Sequence, residues 1–545
     1  MVKFKVLETM ESLPAFQPDV PVFIDTETLG LYGKILIIQL YQPQTSENVF
    51  IVKNPDTYSI QAILNKYICV FYNASYDLAC IFHKKAILPG NLFEYCREIH
   101  DLLWLSKQTF LGLDKYSLDN VLKYCGIDLY DEINKKALQK SFKSSDLTDE
   151  QFEYAATDVI ALHALWDKCN AAKESMTYKV NIKSMLYAIQ YQLNGIEVDL
   201  DTLNKKLVDI NRQIVINNGQ LDFNVNSPKQ CKEKLGTAKS DEATLKTLMA
   251  ERNETAELIY KQRRLLKRKT MLESYNYPRV YTRFNVAGAV SSRFTATGQG
   301  IYAGINAQQI PRDLKSVFGS SVNKIIEADY STLELRLAAA LYGDNYMYKQ
   351  LMNGEDLHTS MAQKMTGRMD ITKDERTKAK AINFGFVFGM SAKTFVDYAF
   401  YNYGVEVTHD EALQIRKEYF NMYRNLAQYH SYIWENYNKP NFYVQTALGW
   451  KAKPKLGTDA INIPVQGTGA ECTKLAIHYM VKEDPTILQY ISNVVHDSIR
   501  LEVPKDSSYE KFLEEMMIKA WTELSKSNAF KYKDIPMLVD ISVKD

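Results

Sequence analysis

Asp25 and Glu27 close the apolar run VPVFI at alternate positions, so an extended strand presents both carboxylates on one face. Asp77 follows a second apolar run in FYNASYD, and Tyr154 and Asp158 in YAATD lie four residues apart, which aligns them along one helix face. Any one of these acids reads more simply as a surface or capping residue. Four converging carboxylates, however, suit two divalent cations roughly 3.5–4 Å apart that clamp the attacking and leaving oxygens of a phosphodiester. Hard oxygen donors favour Mg²⁺, with Mn²⁺ also accommodated. Tyr154 stands where it could orient the attacking water.

A second set lies in the other half of the chain. Asp329 ends the strand-like run IIEAD, and Asp497 sits at the turn of NVVHDSIRLEV, which has the apolar-turn-apolar form of a hairpin. Two acids at strand tips can bind two Mg²⁺ ions that activate a hydroxyl nucleophile and stabilise a pyrophosphate leaving group. Between them, TKDERTKAKAINFGFVFGMS opens with Thr372 and Glu375 at capping-box spacing. Arg376, Lys380, Phe384 and Phe388 then recur every four residues, two cations for phosphates followed by two aromatics for a base.

The elements that must position these groups can be sketched from periodicity. VPVFIDTETLGL, KILIIQLY and NVFIVK read as three strands, and ICVFYNASYDLACIF as a strand followed by a helix, so the first 170 or so residues form an α/β unit. From 171 to 282 the pattern is mainly helical, broken at NSPKQ. Residues 283 to 345 return to strands, ending in IIEADYSTLELRLAAALY. Helices dominate to about 438, and MLVDISV reads as a last strand. LIYKQRRLLKRKTML, residues 258 to 272, interleaves Lys261, Arg263, Arg264, Lys267, Arg268 and Lys269 with Leu258, Leu265, Leu266 and Leu272, an amphipathic basic helix suited to a phosphate backbone.

At 545 residues the chain is multidomain, and 46% hydrophobic with 24% charged content is that of a globular protein without an apolar run able to span a bilayer. No membrane partner is expected. The first residues lack the apolar core of a secretory signal, which makes a cytoplasmic location the expectation. Seven cysteines scattered singly indicate neither a zinc site nor a disulfide framework. A net charge of +1 carries no argument for a nucleic-acid partner, so local clustering must.

The order FIDTETLGL, NASYD, YAATD resembles the three motifs of the DEDDy 3′→5′ exonucleases, whose fold is ribonuclease H-like. The resemblance implies that Asp25, Glu27, Asp77 and Asp158 bind two metals and that Tyr154 positions water. DYSTLELR, RTKAKAINFGFVFG and VHDS are similar to motifs A, B and C of family A DNA polymerases, and NGIEVD, NSPKQ, SSRFT, NAQQIP, DLHTSMA and INIPVQGTGAE match further segments of that family.

That second resemblance implies a right-hand polymerase: exonuclease at 1–172, thumb at 173–282, palm at 283–344 and 439–545, fingers at 345–438. Asp329 and Asp497 become the catalytic metal ligands. Arg376, Lys380 and His358 hold the triphosphate, with Lys380 as general acid. Phe384 packs on the nucleotide, Phe388 lies near the templating base, Tyr330 joins the nucleotide site and Glu334 is the steric gate against ribonucleotides. Arg293, Gln308, Asn462, Gln466 and His496 contact the primer terminus and minor groove, while Lys261, Arg264, Lys267 and Arg268 contact the duplex. The implied partners are primer-template DNA, dNTPs and replisome proteins: helicase or primase, single-strand binding protein and a processivity factor.

Several positions depart from the family pattern. Ser498 replaces the acid usual after the motif C aspartate, Trp450 and Lys451 stand where arginines are common, and no 5′-nuclease domain is expected ahead of the exonuclease, as in bacteriophage enzymes. A rival reading keeps only the nuclease active, with the polymerase half as a DNA clamp. The retention of Asp329, Asp497, Arg376 and Lys380 argues against it, and against a non-catalytic scaffold.

Overall fold

The computed structural model describes residues 2–82, 96–129, 137–320 and 322–544. Near the N-terminus, β1 (Phe4–Leu7), β2 (Val22–Thr28), β3 (Ile35–Tyr41), β4 (Val49–Lys53), β5 (Ile68–Phe71) and β6 (Glu98–Asp101) form one mixed sheet in the order β1-β4-β3-β2-β5-β6. β2 pairs antiparallel with β3 and parallel with β5, so the strand carrying Asp25 and Glu27 lies inside the sheet. Helices α1 (Ala74–Ile81), α2 (Leu102–Thr109) and α3 (Asp149–Cys169) pack around it. α3 begins at a reciprocal cap, with Gln151 N donating to Thr148 Oγ1 at 3.3 Å and Thr148 N to Gln151 Oε1 at 2.8 Å. Its face crosses β2 so that Phe23 meets His163 and Trp166 edge-on. That contact sets Tyr154 and Asp158, about three and two turns before Trp166 on the same face, over the carboxylate end of β2.

α4 (Met176–Tyr191) leads to α5 (Leu200–Asn218) and α6 (Glu254–Ser274), which pack against each other. The buried side of α6 is Ala256, Ile259, Gln262 and Leu272, whereas Leu258, Leu265 and Leu266 are only partly covered. Gln262 is tolerated there because Asn217 and Asn218 saturate its amide at 3.0 and 2.7 Å.

The C-terminal sheet is antiparallel: β7 (Asn323–Tyr330), β8 (Ile491–Val495), β9 (Ser498–Pro504) and β10 (Val539–Lys544) run in the order β8-β9-β7-β10. Helices α7 (Leu333–Tyr342), α8 (Leu357–Thr366), α9 (Lys373–Val387), α10 (Gly457–Glu483) and α11 (Glu510–Ser525) complete the frame. α9 starts at the capping box expected from its sequence, Thr372 with Glu375. One face of the sheet, carrying Ile326, Ala328, Ile499 and Leu501, is fully buried, and α11 packs on this sheet. None of the seven cysteines forms a disulfide, and all but Cys125 are buried.

α10 is enclosed on nearly all sides. Gly467 permits this, since a Cβ there would stand 2.6 Å from the Ser291 carbonyl oxygen. At its middle, the wholly buried Lys474 donates to Asn181 Oδ1 at 2.7 Å and to Ser292 O and Oγ at 2.6 and 3.0 Å. Glu471, one turn earlier, accepts from Leu448 N at 2.9 Å and Thr177 Oγ1 at 3.2 Å. These two charges fasten α4, α10 and the 291–292 turn together. Lys474→Met leaves several buried acceptors unpaired and should cost about 3 kcal/mol. Thermal unfolding followed by circular dichroism checks this, an unchanged midpoint meaning that the node is dispensable.

Candidate active sites

The N-terminal cleft, about 1020 Å³, is lined by Asp25, Glu27, Tyr72, Tyr76, Asp77, Tyr154 and Asp158 among others. Carboxylate oxygens of Asp25, Glu27 and Asp158 lie within 4.8 Å of one another. Asp77 stands beside this trio with one oxygen already committed: Oδ1 accepts from Thr26 Oγ1 at 2.7 Å and Thr26 N at 3.1 Å. Burial, followed by mutual repulsion, holds Asp25 and Glu27 well above the usual carboxylate range. Burial likewise pushes Asp77 up to about 7, against the hydrogen bonds from Thr26. Tyr154 is raised by burial and then by the negative charge of Asp158, Glu27 and Asp25. An all-oxygen set of repelling acids has the chemistry of a hard divalent-cation site, so the residues present fit Mg²⁺ or Mn²⁺.

Asp101 is a member of this site that sequence reading missed. Buried at the end of β6, it accepts from Asn73 N at 2.9 Å, Ala74 N at 3.1 Å and Leu103 N at 2.9 Å. Asn73 adopts a left-handed conformation, φ 65°, at the start of α1. Asp101 therefore pins the turn that aims Asp77.

In the C-terminal half, Asp329 lies at the end of β7, paired in register with Ser498 on β9 and Asp540 on β10. Asp497 occupies the two-residue turn between β8 and β9 with His496, whose φ is 56°. Such a turn leaves the loop no slack, so the two aspartates face each other across adjacent strands. Burial, then Asp497, Glu327 and Asp540, push Asp329 up to about 7; burial pushes Asp497 to about 6, with Glu334 adding and Arg293 opposing. Glu327 and Asp540 are further acids that strand alternation in IIEAD and pairing with MLVDISV bring close. This second all-oxygen set also fits divalent cations.

Around this pair, Arg293 Nη2 lies 3.1 Å from His496 Nδ1, and Gln308 Nε2 donates to Val494 O at 3.2 Å. Asn462 and Gln466, four apart on α10, are partly exposed on one face of an otherwise buried stretch. Glu334, at the start of α7, is raised by burial with Arg293 opposing. Arg376 Nε donates to Asp356 Oδ2 at 2.7 Å, Lys380 stands 6.0 Å from the Phe384 ring, and His358 meets that ring at 5.5 Å. His358 is buried, takes Asn383 Nδ2 at 2.9 Å on Nδ1 and is driven down to about 4 by burial, so it is a neutral imidazole. Phe388 caps the end of α9, half-buried.

Two expectations are corrected. The Tyr330 side chain is buried, its hydroxyl donating to Met517 O at 2.8 Å, so only its backbone can reach the cleft. Arg268 is locked in a two-pronged pair with Asp313, at 2.8 and 2.9 Å, and Arg263 is turned onto Val225 O at 2.9 Å; both brace α6 rather than presenting free cations. Lys261, Arg264 and Lys267 remain exposed along one side of that helix, Lys261 paired with Glu257 at 2.6 Å.

Residues 196–545 match the model of DNA polymerase family A, and residues 3–172 that of a 3′-5′ exonuclease. The chain belongs to DNA polymerase family A. This family A polymerase is 27% identical to DNA polymerase I of Aquifex aeolicus, over 99% of this chain and 97% of that one. It is 26% identical to DNA polymerase I of Caldicellulosiruptor bescii and 28% identical to the DNA polymerase of Bacillus phage SP01, but spans only 56% and 31% of their lengths. Its fold is similar to the POL domain of Pol1 from M. smegmatis, solved in complex with DNA primer-template and dNTP, with a TM-score of 0.73 at 17% identity over 96% of this chain and 95% of that one. A mixed α/β 3′-5′ exonuclease domain followed by a family A polymerase domain agrees with the order expected from sequence.

A pH effect follows from the raised acids. A carboxyl whose folded pKa exceeds its unfolded value contributes stability that is complete below about pH 4 and is lost as pH rises through the folded pKa. Asp25→Asn, freed of that loss, should stabilise the metal-stripped protein at pH 8, with the gain disappearing toward pH 4. Melting curves in EDTA across this range check it, and a pH-independent gain would refute it.

Proposed function

We propose that this family A polymerase adds dNMP units to a primer 3′-hydroxyl at the Asp329–Asp497 pair and removes mispaired 3′ ends hydrolytically at the Asp25 cleft. The reading rests above all on the juxtaposition of Asp329 and Asp497 at adjoining strand ends, beside a helix that carries Arg376, Lys380 and Phe384. In this assignment, residues 173–282 form the thumb, 283–344 and 439–545 the palm and 345–438 the fingers. Mg²⁺ bound by the carboxylates would supply activation of the attacking oxygen and neutralisation of the leaving one.

The protein's own groups do the rest. Arg376 releases Asp356 to grip the triphosphate together with Lys380, and neutral His358 donates a hydrogen bond to it. Lys380 delivers a proton to the departing pyrophosphate. Phe384 packs on the incoming nucleotide, Phe388 lies by the templating base, and Glu334 fills the space a ribose 2′-hydroxyl would need. Arg293, Gln308, Asn462, Gln466 and His496 hold the nascent pair through minor-groove acceptors that barely depend on sequence. Lys261, Arg264 and Lys267 meet the duplex backbone. In the N-terminal site, Asp25, Glu27, Asp77 and Asp158 hold the cations and Tyr154 orients water. No described helix is long and apolar enough to cross a membrane. A replicative role in the cytoplasm, beside a helicase or primase, a single-strand binding protein and a processivity factor, is the setting we infer.

A 5′-labelled primer on a longer template with Mg²⁺ should lengthen with dNTPs and shorten without them. Asp25→Ala with Glu27→Ala should abolish shortening and spare extension, and Asp329→Asn should do the reverse; loss of both activities in either variant would refute two separate sites. Glu334→Ala should weaken discrimination against ribonucleotides by on the order of 10²-fold. Equal preference ratios in variant and parent, measured by single-nucleotide incorporation, would remove Glu334 from that role.

A further inference from the structure

Between the two catalytic halves lies a cavity of about 430 Å³ that neither site uses. One wall comes from α2 and the segment after it: Lys107, Leu111 to Asp114, and Tyr116. The other comes from Gly288 to Val290 and from Trp450 to Lys455. The walls are stitched together by Lys451 N donating to Gln108 Oε1 at 2.9 Å, by Lys455 with Asp114 at 3.1 Å and by Lys107 Nζ donating to Ala287 O at 3.3 Å. The charged side chains that line it are Lys107, Lys451, Lys453 and Lys455 against Asp114 alone.

The KAKPK segment explains how the charge is presented. Lys451, Lys453 and Lys455 are exposed while Ala452 and Pro454 between them are buried. Alternate residues of an extended chain stand about 6.6–6.8 Å apart. Lys451, Lys453 and Lys455 thus stand at alternate positions on one exposed edge, a backbone interval comparable with the phosphate spacing of an extended single strand, with Lys455 held by Asp114. A set of cations merely keeping the surface solvated would not need its alternate residues anchored.

The residues lining the cavity adjoin those of both sites. Tyr72, which lines the exonuclease cleft, donates its hydroxyl to Tyr116 O at 2.7 Å, and the next residues, Ser117 to Asp119, belong to that cleft. On the other side Ala289 N donates to Arg293 O at 3.3 Å, and Arg293 reaches His496, the neighbour of Asp497. A chain of neighbouring residues therefore links Asp497, through Arg293, the 288–290 turn, the lysine edge and Tyr116, to the residues lining the Asp25 cleft.

We propose that this basic seam is the track along which the frayed, single-stranded 3′ end of a primer passes between the polymerase and exonuclease sites. The inference rests on the two-site reading above. Lys451, Lys453 and Lys455 hold successive phosphates of the moving strand, and Lys107 lies at its floor.

The test uses the full chain with Lys453→Gln and Lys455→Gln together, neither residue belonging to either catalytic site. Three rates are compared with the parent: extension of a matched primer, degradation of a single-stranded oligonucleotide, and excision of a terminal mispair from a primer-template within one binding event. Excision should fall about ten-fold, with the other two within about two-fold, and its dependence on salt should be shallower by about 1.4 in log–log slope for two lost phosphate contacts. Lys453→Arg with Lys455→Arg should keep excision at the parental rate. Unchanged excision and salt slope in the Gln variant would overturn the track, as would an equal fall in all three rates, which would assign the lysines to general DNA binding or to folding. Failure of the two-site reading itself would be visible separately, as a parent protein that cannot both extend and shorten a primer.

Discussion

Both candidate sites depend on forcing like charges together and keeping them there. Carboxylates brought this close in a water-poor cleft repel one another, and the repulsion is relieved only by protonation or by a cation. A flexible loop would respond by moving apart. Here the strand acids sit on backbone that yields little: Asp25 and Glu27 are paired in register with β3 just beyond the point where β2 is flanked on both sides, β7 lies between two strands, and Asp497 is confined to a two-residue turn. Thr26 and Asp101 serve the same end for Asp77, by occupying one of its oxygens and by pinning the turn before it. The scaffold thus stores an electrostatic demand for divalent metal.

The same logic accounts for how the halves are joined. Arg283 lies over the Tyr32 ring at 3.2 Å, and Lys474 and Glu471 bind α10 to α4 and to the turn that precedes Arg293. A buried charge whose hydrogen bonds are all met, as at Lys474, tolerates few alternative arrangements. The spacing between the two sites is therefore set by specific polar contacts as well as by apolar packing.

Much of this was legible in the sequence because the catalytic acids occupy positions with strong local signatures. Asp25 and Glu27 end an apolar alternation, Asp329 ends another, and Thr372 with Glu375 announces the helix of Arg376 and Lys380. What local pattern cannot reveal is a partner distant along the chain. Asp101 sits in an unremarked REIHDLL run, and its role arises only when β6 pairs beside β5. The basic run at 258–272 displays charge but not commitment: Arg268 is claimed by Asp313 and Arg263 by backbone carbonyls. Gln262, polar yet buried, was hidden because two asparagines on α5 satisfy it. Tyr330 adjoins Asp329 in sequence, but the pleat of β7 sends its side chain into the opposite layer. The strand β1 was missed because so short an element gains its stability from pairing with β4, not from its own residues.

The enclosure of α10 also bears on how such a chain can change over generations. Its 27 residues extend about 40 Å, and between Ile461 and Ile477 only Asn462 and Gln466 emerge from the packing. On an ordinary amphipathic helix, half the positions drift freely and absorb neutral substitutions. Here the drifting half is missing, and the two emergent positions are the ones that would meet DNA. Substitution is therefore costlier within α10 than around it, so the helix serves as a ruler against which the rest of the molecule can vary.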